Sequence, residues 1–408
     1  MRSAVLILTG ALLLTTAPAP ASGATGLRPP PRIELWTIGP GDDLYERFGH
    51  TALRVTEAQG EDRIYNYGTT DFSQPGLVTA FLTGDARFWL GVSSPARSRR
   101  VYQAKDRTIR ATELRLPPAA ARTLADLLAA EAADPALREY EYHHFRDNCT
   151  TRIRDRLDEV TDGALRAAVG RWPPGPTYRQ LARAGFADLP LLLLLTDLVL
   201  GWPADRPNAP FALCFLPRIF QHGVEQAQVG WPDGSQAPLA GEPQLLYERQ
   251  GPPPAGGNPR TPIRGTLVAA VVLIILALVL RRRGPVSRRM AGPVVTLVGL
   301  LTGAAGAVVW LLATVSVHPE LRQNEILLWA WPSDLWLAVG GLLLLGRHPR
   351  LARVVRGYAL VRIAVALALL AAMCGRLAVQ PQWHLLALWL ALWLLVHVLA
   401  GTRGLDDG

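Results

Sequence analysis

The sequence predicts an α+β domain outside the cytoplasm, followed by a bundle of about five transmembrane helices. Half of the 408 residues are hydrophobic and only 18% are charged, which is too apolar for a single water-soluble protein. Long apolar runs lie after residue 264, whereas short alternating runs typical of strands lie before residue 220. A further apolar segment opens the chain, as in exported proteins.

The first 24 residues predict a secretory signal peptide. Arg2 supplies a positive charge, residues 5–14 form a short apolar core, and small residues between 17 and 24 suit cleavage. An uncleaved N-terminal anchor is the alternative. In either case the following segment is exported.

Residues 25–220 predict the extracytoplasmic domain. Alternation of apolar and polar residues predicts several strands, and the second and third are expected to form a hairpin. The predicted strands are residues 33–38, 50–56, 63–68, 88–92, 101–102 and 109–116. The predicted helices are residues 72–83, 117–133 and 149–160. Residues 189–202 are strongly apolar but too short to span a bilayer comfortably, so they predict a buried or interface-seeking helix.

Residues 221–263, rich in Gly, Pro and Gln, predict a partly ordered linker before the transmembrane domain at 264–402. Each apolar run in that domain is near the length needed to cross the hydrocarbon core. The predicted spans are residues 266–280, 293–315, 326–345, 357–379 and 385–399. Asp334 in the third span is costly in lipid and should face protein or the interface. It either lines a route for lipid or substrate or belongs to a kink at Pro332.

Arginine placement predicts the orientation of these spans. Arginines cluster between spans one and two, between spans three and four, and after span five, whereas the other two loops have few basic residues. By the positive-inside rule the arginine-rich loops are cytoplasmic, which places residues 25–263 outside. The clustered residues are Arg281, Arg282, Arg283, Arg288, Arg289, Arg347, Arg350, Arg353, Arg356 and Arg403.

Cys149 is the residue most indicative of chemistry. Asn148 is a good N-cap, so Cys149 is predicted in the first turn of a helix, where the helix dipole favours the thiolate. The thiolate is the nucleophilic form of cysteine. The alternative is a buried structural cysteine, which is a common fate of an isolated Cys.

A nucleophilic cysteine needs a base. His50 follows Gly49 and opens a predicted strand, so its ring has a fixed direction. Asn66 on the next strand is the candidate that orients the imidazole; Tyr65 or Tyr67 takes that place if the strand register differs by one residue.

Other polar residues near Cys149 have less specific roles. Asp147 and Asn148 are expected to cap the helix or to help form an oxyanion pocket with the Cys149 backbone N–H. At most one of His143 and His144 can face the thiol, and packing or surface roles are the simpler interpretation.

The remaining motifs exclude several classes of protein. The three cysteines make no disulfide framework, and the sequence contains no CxxC, no Cys/His metal spacing, no Walker loop and no GxGxxG that opens a helix. We therefore predict no cofactor, no metal and no nucleic-acid partner.

Three motifs together resemble a known family. These are FGHTALR at residues 48–54, YNYG at 65–68 and DNCTTR at 147–152, supported by FLP at 215–217 and NEILLW at 324–329. They resemble the DUF4105 family, also called the Lnb N-terminal periplasmic domain, within the permuted NlpC/P60-like, papain-like fold in which His precedes Cys. Glu325-Ile326 departs slightly from the family pattern, and the last two spans lie outside the resemblance.

The resemblance implies an acyltransferase in the bacterial inner membrane with its catalytic domain in the periplasm. Cys149 is then the nucleophile, His50 the base and Asn66 its orienting partner. The acyl donor is a membrane phospholipid, and the acceptor is the N-terminal amine of a diacylglyceryl-cysteine lipoprotein. The alternatives are a cell-wall peptidase or amidase, which is the commoner activity of this fold, and a non-enzymatic envelope protein in which Cys149 is structural.

Overall fold

The computed structural model describes residues 29–254, 257–282, 284–344, 348–375 and 377–401. The predicted signal peptide at residues 1–24 lies outside these ranges. The strands are β1 (Arg32–Ile38), β2 (His50–Thr56), β3 (Asp62–Thr69), β4 (Arg87–Ser93), β5 (Ile109–Leu114), β6 (Glu139–Glu141), β7 (Gly175–Thr177), β8 (Pro207–Asn208), β9 (Gln228–Gly230), β10 (Gln236–Pro238) and β11 (Ala240–Tyr247).

The helices fall into two groups that match the two regions expected from composition. Those of the N-terminal domain are α1 (Leu77–Thr83), α2 (Pro95–Ala104), α3 (Pro118–Ala133), α4 (Pro135–Arg138), α5 (Cys149–Val160), α6 (Ala164–Val169), α7 (Tyr178–Gly185), α8 (Pro190–Val199), α9 (Pro210–Leu213) and α10 (Pro217–Gln226). Those of the membrane domain are α11 (Arg260–Arg282), α12 (Gly284–Val315), α13 (Pro319–Arg322), α14 (Trp336–Leu344), α15 (Pro349–Cys374) and α16 (Trp383–Gly401).

A seven-stranded sheet in the order β11-β5-β1-β2-β3-β4-β6 organises the N-terminal domain, and its neighbouring strands run antiparallel. The predicted hairpin of residues 50–56 and 63–68 is confirmed as β2 and β3. On one face of the sheet, Ile153 and Leu157 of α5 are fully buried in a cluster with Leu35 and Leu53. These two α5 residues lie one turn apart, so a single stripe fixes the helix to the central strands.

The opposite face of the sheet is covered differently. Trp36 of β1 and Ile109 of β5 are buried there in a cluster against which Tyr102 of α2 and Tyr247 of β11 pack. The prediction of a strand at residues 101–102 is therefore wrong. Ser94 accepts a hydrogen bond from the Arg97 backbone N–H and Pro95 follows it, so a helix begins at Pro95 and includes residues 101–102.

The linker predicted over residues 221–263 is also corrected. Residues 217–226 form α10, and β11 pairs with β5 as the seventh strand of the sheet. The composition of this segment is poor in β-branched residues, but pairing with β5 satisfies backbone groups that an edge strand would otherwise leave open. Tertiary context thus decides the structure of a segment that composition assigns to a loop.

Among the described residues, the membrane domain contains four helices that are long and apolar enough to cross a bilayer. Two further helical segments, Pro319–Leu328 and Pro332–Leu344, are long and apolar enough only when taken together, and they meet at an angle of 61°. In place of a straight third span, the structure thus has a bent helix pair, a geometry that broken spans and re-entrant loops share. Arg362 donates to the Trp329 carbonyl, and the Trp310 indole N–H donates to the Ala330 carbonyl at 3.0 Å. These bonds satisfy backbone oxygens that the break would leave bare in an apolar environment.

Asp334 lies beside this break and faces protein, as predicted. It is fully buried and accepts hydrogen bonds from Tyr358 at 2.7 Å and from Arg362 at 2.9 Å. The Arg362 guanidinium also stacks over Trp331, 4.1 Å from the ring centre. The residue therefore belongs to a buried pair at the kink.

The segment that follows α12 docks on the N-terminal domain. The Val317 backbone N–H donates to the Thr83 carbonyl of α1, and His318 donates from Nε2 to the Phe81 carbonyl, both at 3.0 Å. Glu320 is buried and pairs with Arg146, just before α5. The domain thus sits on the end of α12 that is opposite the arginine-rich loops.

A second junction forms around Asp197 of α8. Its carboxylate is fully buried and pairs with Arg183 at 2.8 Å, Arg179 at 3.5 Å and His384 at 3.2 Å. Because His384 belongs to α16, this network joins the N-terminal domain to the bundle.

Candidate functional site

The N-terminus of α5 holds Cys149 in a fixed position. Asn148 caps the helix: its side-chain oxygen accepts from the Thr150 and Thr151 backbone N–H groups at 2.8 and 2.9 Å, and its own N–H donates to the Thr151 hydroxyl. The Asn148 amide nitrogen donates to the carbonyls of His144 and Phe215. These contacts clamp the residue preceding Cys149, whose thiol is free and only partly exposed.

His50 begins β2 and lies against Cys149. Gly49 precedes it with a φ of 85°, a left-handed conformation that glycine adopts without strain, so the chain turns sharply into the strand. Burial opposes ionisation of the thiol, but the charge of His50 and its hydrogen bond, with weaker bonds from Thr150 and the Thr51 backbone N–H, lower the Cys149 pKa from 9.0 to about 7. A substantial thiolate fraction is therefore present at neutral pH.

Asn66 orients the imidazole. The hairpin register pairs Leu53 with Tyr65, which places Asn66 on the same face as His50. Asn66 Oδ1 lies 3.3 Å from His50 Nε2 and accepts a hydrogen bond from the Tyr102 hydroxyl at 2.9 Å. Since an amide oxygen only accepts, His50 carries its proton on Nε2, and its Nδ1 lone pair is left for the thiol.

Tyr102 is the site residue that the sequence did not identify. It lies on α2, far from the hairpin in sequence, and was assigned to a strand. Its hydroxyl ends the series Tyr102–Asn66–His50–Cys149. No local pattern marks it; only the packing of α2 on the sheet brings it to Asn66.

The alternatives to Asn66 point elsewhere. Tyr65 and Tyr67 are buried on the other face of the hairpin, within the cluster that includes α5 residues. Tyr67 donates its hydroxyl proton to Glu131 of α3. The observed register thus places Asn66, and not these tyrosines, beside His50.

A glycine lets the first residue of α5 approach the hairpin closely. Gly68 of β3 has a φ of 81°, and a Cβ at this position would lie 3.1 Å from the Cβ of Cys149. Behind the cysteine, the Thr51 and Thr150 hydroxyls are 3.1 Å apart and buried. The approach of α5 to the hairpin therefore depends on the absence of a side chain at residue 68.

Two other expectations near Cys149 are now specified. Asn148 caps the helix and its amide is fully engaged, and Asp147 pairs with Arg152 at 2.6 Å, so neither side chain is directed to an oxyanion. The Cys149 backbone N–H, at the first position of the helix, remains the candidate oxyanion donor.

His143 and His144 have packing and docking roles. Burial and the neighbouring His143 lower the pKa of His144 to about 4, so its ring is neutral at physiological pH; it packs edge-on against Phe48 and Phe215. His143 lies 3.6 Å from Glu320 in the loop that docks the membrane domain. The prediction of packing roles is confirmed for His144.

In the described part of the chain, no group of three or more His, Cys, Asp or Glu side chains is placed to hold a metal ion. What the site can do chemically is set by the thiolate, the imidazole and the amide. An arrangement of this kind can form and resolve a covalent acyl intermediate.

Two family models match the chain. That of the Lnb N-terminal periplasmic domain covers residues 30–184, and that of the Lnb transmembrane domain covers residues 260–403. The first match contains Tyr102, Asn66, His50 and Cys149, and the second contains α11 to α16. No curated protein and no solved structure matches the chain.

Proposed function

This chain belongs to the Lnb family, and from that premise we propose that it is a Cys/His acyltransferase that moves an acyl chain from a phospholipid to the amino group of a diacylglyceryl-cysteine lipoprotein. The observation that carries the proposal is the series Asn66–His50–Cys149. In it, Asn66 orients the His50 imidazole, and His50 lowers the pKa of the Cys149 thiol.

The first half-reaction forms a thioester. His50 Nδ1 takes the proton from Cys149, and the thiolate attacks the ester carbonyl of the phospholipid. A C–S bond forms, and the negative charge of the tetrahedral intermediate lies near the backbone N–H of Cys149 at the helix N-terminus. The C–O bond then breaks, and the imidazolium of His50 gives its proton to the departing lysophospholipid alkoxide.

The second half-reaction consumes the thioester. The amine of the lipoprotein attacks the acyl carbon while His50 takes a proton from the nitrogen. The C–S bond breaks, the amide is released and the Cys149 sulfur leaves as a thiolate. The net exchange is one ester for one amide, so no oxidant, metal or nucleotide is required.

The membrane domain supports a lipid substrate over a cell-wall peptide. α12 and its outer loop contact α1 and the segment before α5, so the Cys149 helix is held next to the ends of the spans. Confinement beside the donor raises its effective concentration. The proposed location is the inner membrane, with the arginine-rich loops in the cytoplasm and the N-terminal domain in the periplasm.

The proposed fold of the N-terminal domain is a permuted NlpC/P60-like one. Its support is the chain order: a strand begins with His50, the next strand carries Asn66, and a later helix begins at Cys149. The helix packs on the two strands that carry its partners.

Reconstitution tests the function. The full chain in nanodiscs of phosphatidylethanolamine and phosphatidylglycerol is given a diacylglyceryl-cysteine peptide, and mass spectrometry follows the products. We expect N-acylated peptide and lysophospholipid in equal amounts, with an acyl adduct on Cys149. The Cys149→Ala variant should form neither product.

Cys214→Ala is the matched control, because Cys214 is buried, its pKa is raised to about 12 by burial, and it bonds the Pro210 carbonyl. Equal product from Cys149→Ala and the parent chain contradicts the proposal. Cleavage of peptidoglycan peptides without N-acylation instead supports the cell-wall peptidase.

A further inference from the structure

Helix α8 is apolar on its exposed side. Leu191 and Leu195, one turn apart, are 71% and 48% exposed. The charged residue of the helix, Asp197, faces inward and is fully buried. A helix that is hydrophobic all round is typical of a buried or membrane environment, but here one side has no protein cover in the described chain.

The exposed stripe is continuous with the surface of the spans. Leu194 and Leu198, which flank it, pack against a cluster that includes Val309 of α12, Ala366 of α15 and Leu386 of α16. Those three helices are long and apolar enough to cross a bilayer. The stripe therefore adjoins the surface of the candidate spans.

Each end of α8 lies next to the end of a span, on the side of the bundle that faces the N-terminal domain. Before the helix, Ala187 and Asp188 contact Gly257 so closely that a Cβ on residue 257 would lie 2.5 Å from the Ala187 carbonyl carbon. Helix α11 begins three residues after Gly257. After the helix, the Gly201 backbone N–H donates to the Glu320 carbonyl at 2.6 Å, beyond the end of α12. The helix thus bridges the outer ends of two spans.

We propose that α8 is an interfacial membrane helix: it lies across the outer ends of the spans, within the bilayer half nearest the N-terminal domain, with Leu191 and Leu195 in contact with lipid acyl chains. Helices of this kind sink their apolar face into the boundary between headgroups and acyl chains. The proposal holds whatever reaction Cys149 catalyses.

The segment that precedes α8 also holds the catalytic strand. Arg47 forms a two-pronged ion pair with Asp188, at 2.5 and 3.0 Å, and Phe48 packs edge-on against Phe186. His50 follows two residues later. Contact of α8 with lipid therefore fixes the position of the candidate base relative to the membrane surface.

A site-specific photo-crosslink tests this placement. A diazirine analogue of leucine replaces Leu191 or Leu195 in the full chain, reconstituted in nanodiscs of phosphatidylethanolamine and phosphatidylglycerol. The matched control is the same substitution at Leu137 of α4, which is 53% exposed and precedes Arg138, whose side chain bonds the Leu90 carbonyl of the sheet. After irradiation, mass spectrometry identifies what each position captured.

We expect phospholipid adducts at residues 191 and 195, and the product of reaction with water at residue 137. Because the analogue closely matches leucine at exposed positions, a folding defect is not expected, and the thermal unfolding midpoint verifies this. Water products at 191 and 195 overturn the proposal. Cross-linked dimers at these positions also overturn it, since a second copy of the chain would then cover the stripe.

Discussion

Two groups of hydrogen-bonded polar side chains can be compared, one half-buried in the N-terminal domain and one fully buried in the membrane domain. Tyr102, Asn66 and His50 are bonded in series, and the series ends on Cys149, which is partly exposed. In the membrane domain, Asp334 and Arg362 are both buried and bond each other beside the bent helix pair.

The difference indicates where function lies. The series on the sheet ends at Cys149, a partly exposed residue whose thiol is reactive. The pair in the bundle meets only protein groups, including the Trp329 carbonyl at the kink. Substitutions in the first group should therefore change activity, and substitutions in the second should change stability.

The largest effect is expected at His50. His50→Gln removes the base and should lower the acylation rate by about 10²- to 10⁴-fold, the usual contribution of general acid–base catalysis. It also removes the main group that stabilises the thiolate, so the Cys149 pKa should rise from about 7 toward its ordinary value of 9.0.

Alkylation by iodoacetamide measures that shift. Since only the thiolate reacts, the rate at Cys149 should increase as pH rises through about 7 in the parent chain, and at higher pH in His50→Gln. Cys214, with its pKa raised to about 12 by burial, serves as the unreactive reference in the same digest. An unchanged midpoint in the variant would mean that His50 does not stabilise the thiolate.

Substitutions in the buried pair of Asp334 and Arg362 should lower the free energy of unfolding. Arg362→Leu leaves the Asp334 carboxylate unpaired and is expected to cost about 3–5 kcal/mol of unfolding free energy, as for other buried ion pairs that lose one partner. The double variant Arg362→Leu/Asp334→Leu should recover part of this loss. Unfolding in mixed micelles measures both, and an equal loss in the two variants would contradict the coupling.

Asn66→Ala should have an intermediate effect on activity. Without the amide oxygen the imidazole is free to rotate or change tautomer, and misplacement of a reacting group by about 1 Å can cost about 10²-fold in rate. Asn66→Asp keeps an acceptor and should retain more activity than Asn66→Ala. Single-turnover acylation measures both; the reverse order would exclude orientation of His50 as the role of Asn66.

The smallest expected effect is at Tyr102. Tyr102→Phe removes one hydrogen bond to Asn66, worth about 0.5–1.5 kcal/mol, and should slow acylation by about 2- to 12-fold. Tyr65→Phe, a buried tyrosine on the other face of the hairpin, is the control and should leave the rate unchanged. If both variants slow the reaction equally, the Tyr102 hydroxyl acts only through packing.

Much of the candidate site is local in sequence and was predicted on that basis. The cap at Asn148 sets the start of α5, and period-two alternation sets the β2–β3 hairpin, so Cys149, His50 and Asn66 could be named from patterns of a few residues. Tyr102 and β11 could not, because each is defined by packing against residues distant in sequence.

Residue patterns alone are enough to predict the division into a sheet-rich domain and a membrane domain, since apolar run length and the alternation of side chains are properties of short segments. Long-range packing was needed to show that the third span is bent, that a segment with loop-like composition completes the sheet, and that the short apolar helix α8 joins the two domains. These outcomes depend on which backbone and charged groups bind partners from distant parts of the chain, and the local residue pattern does not specify those partners.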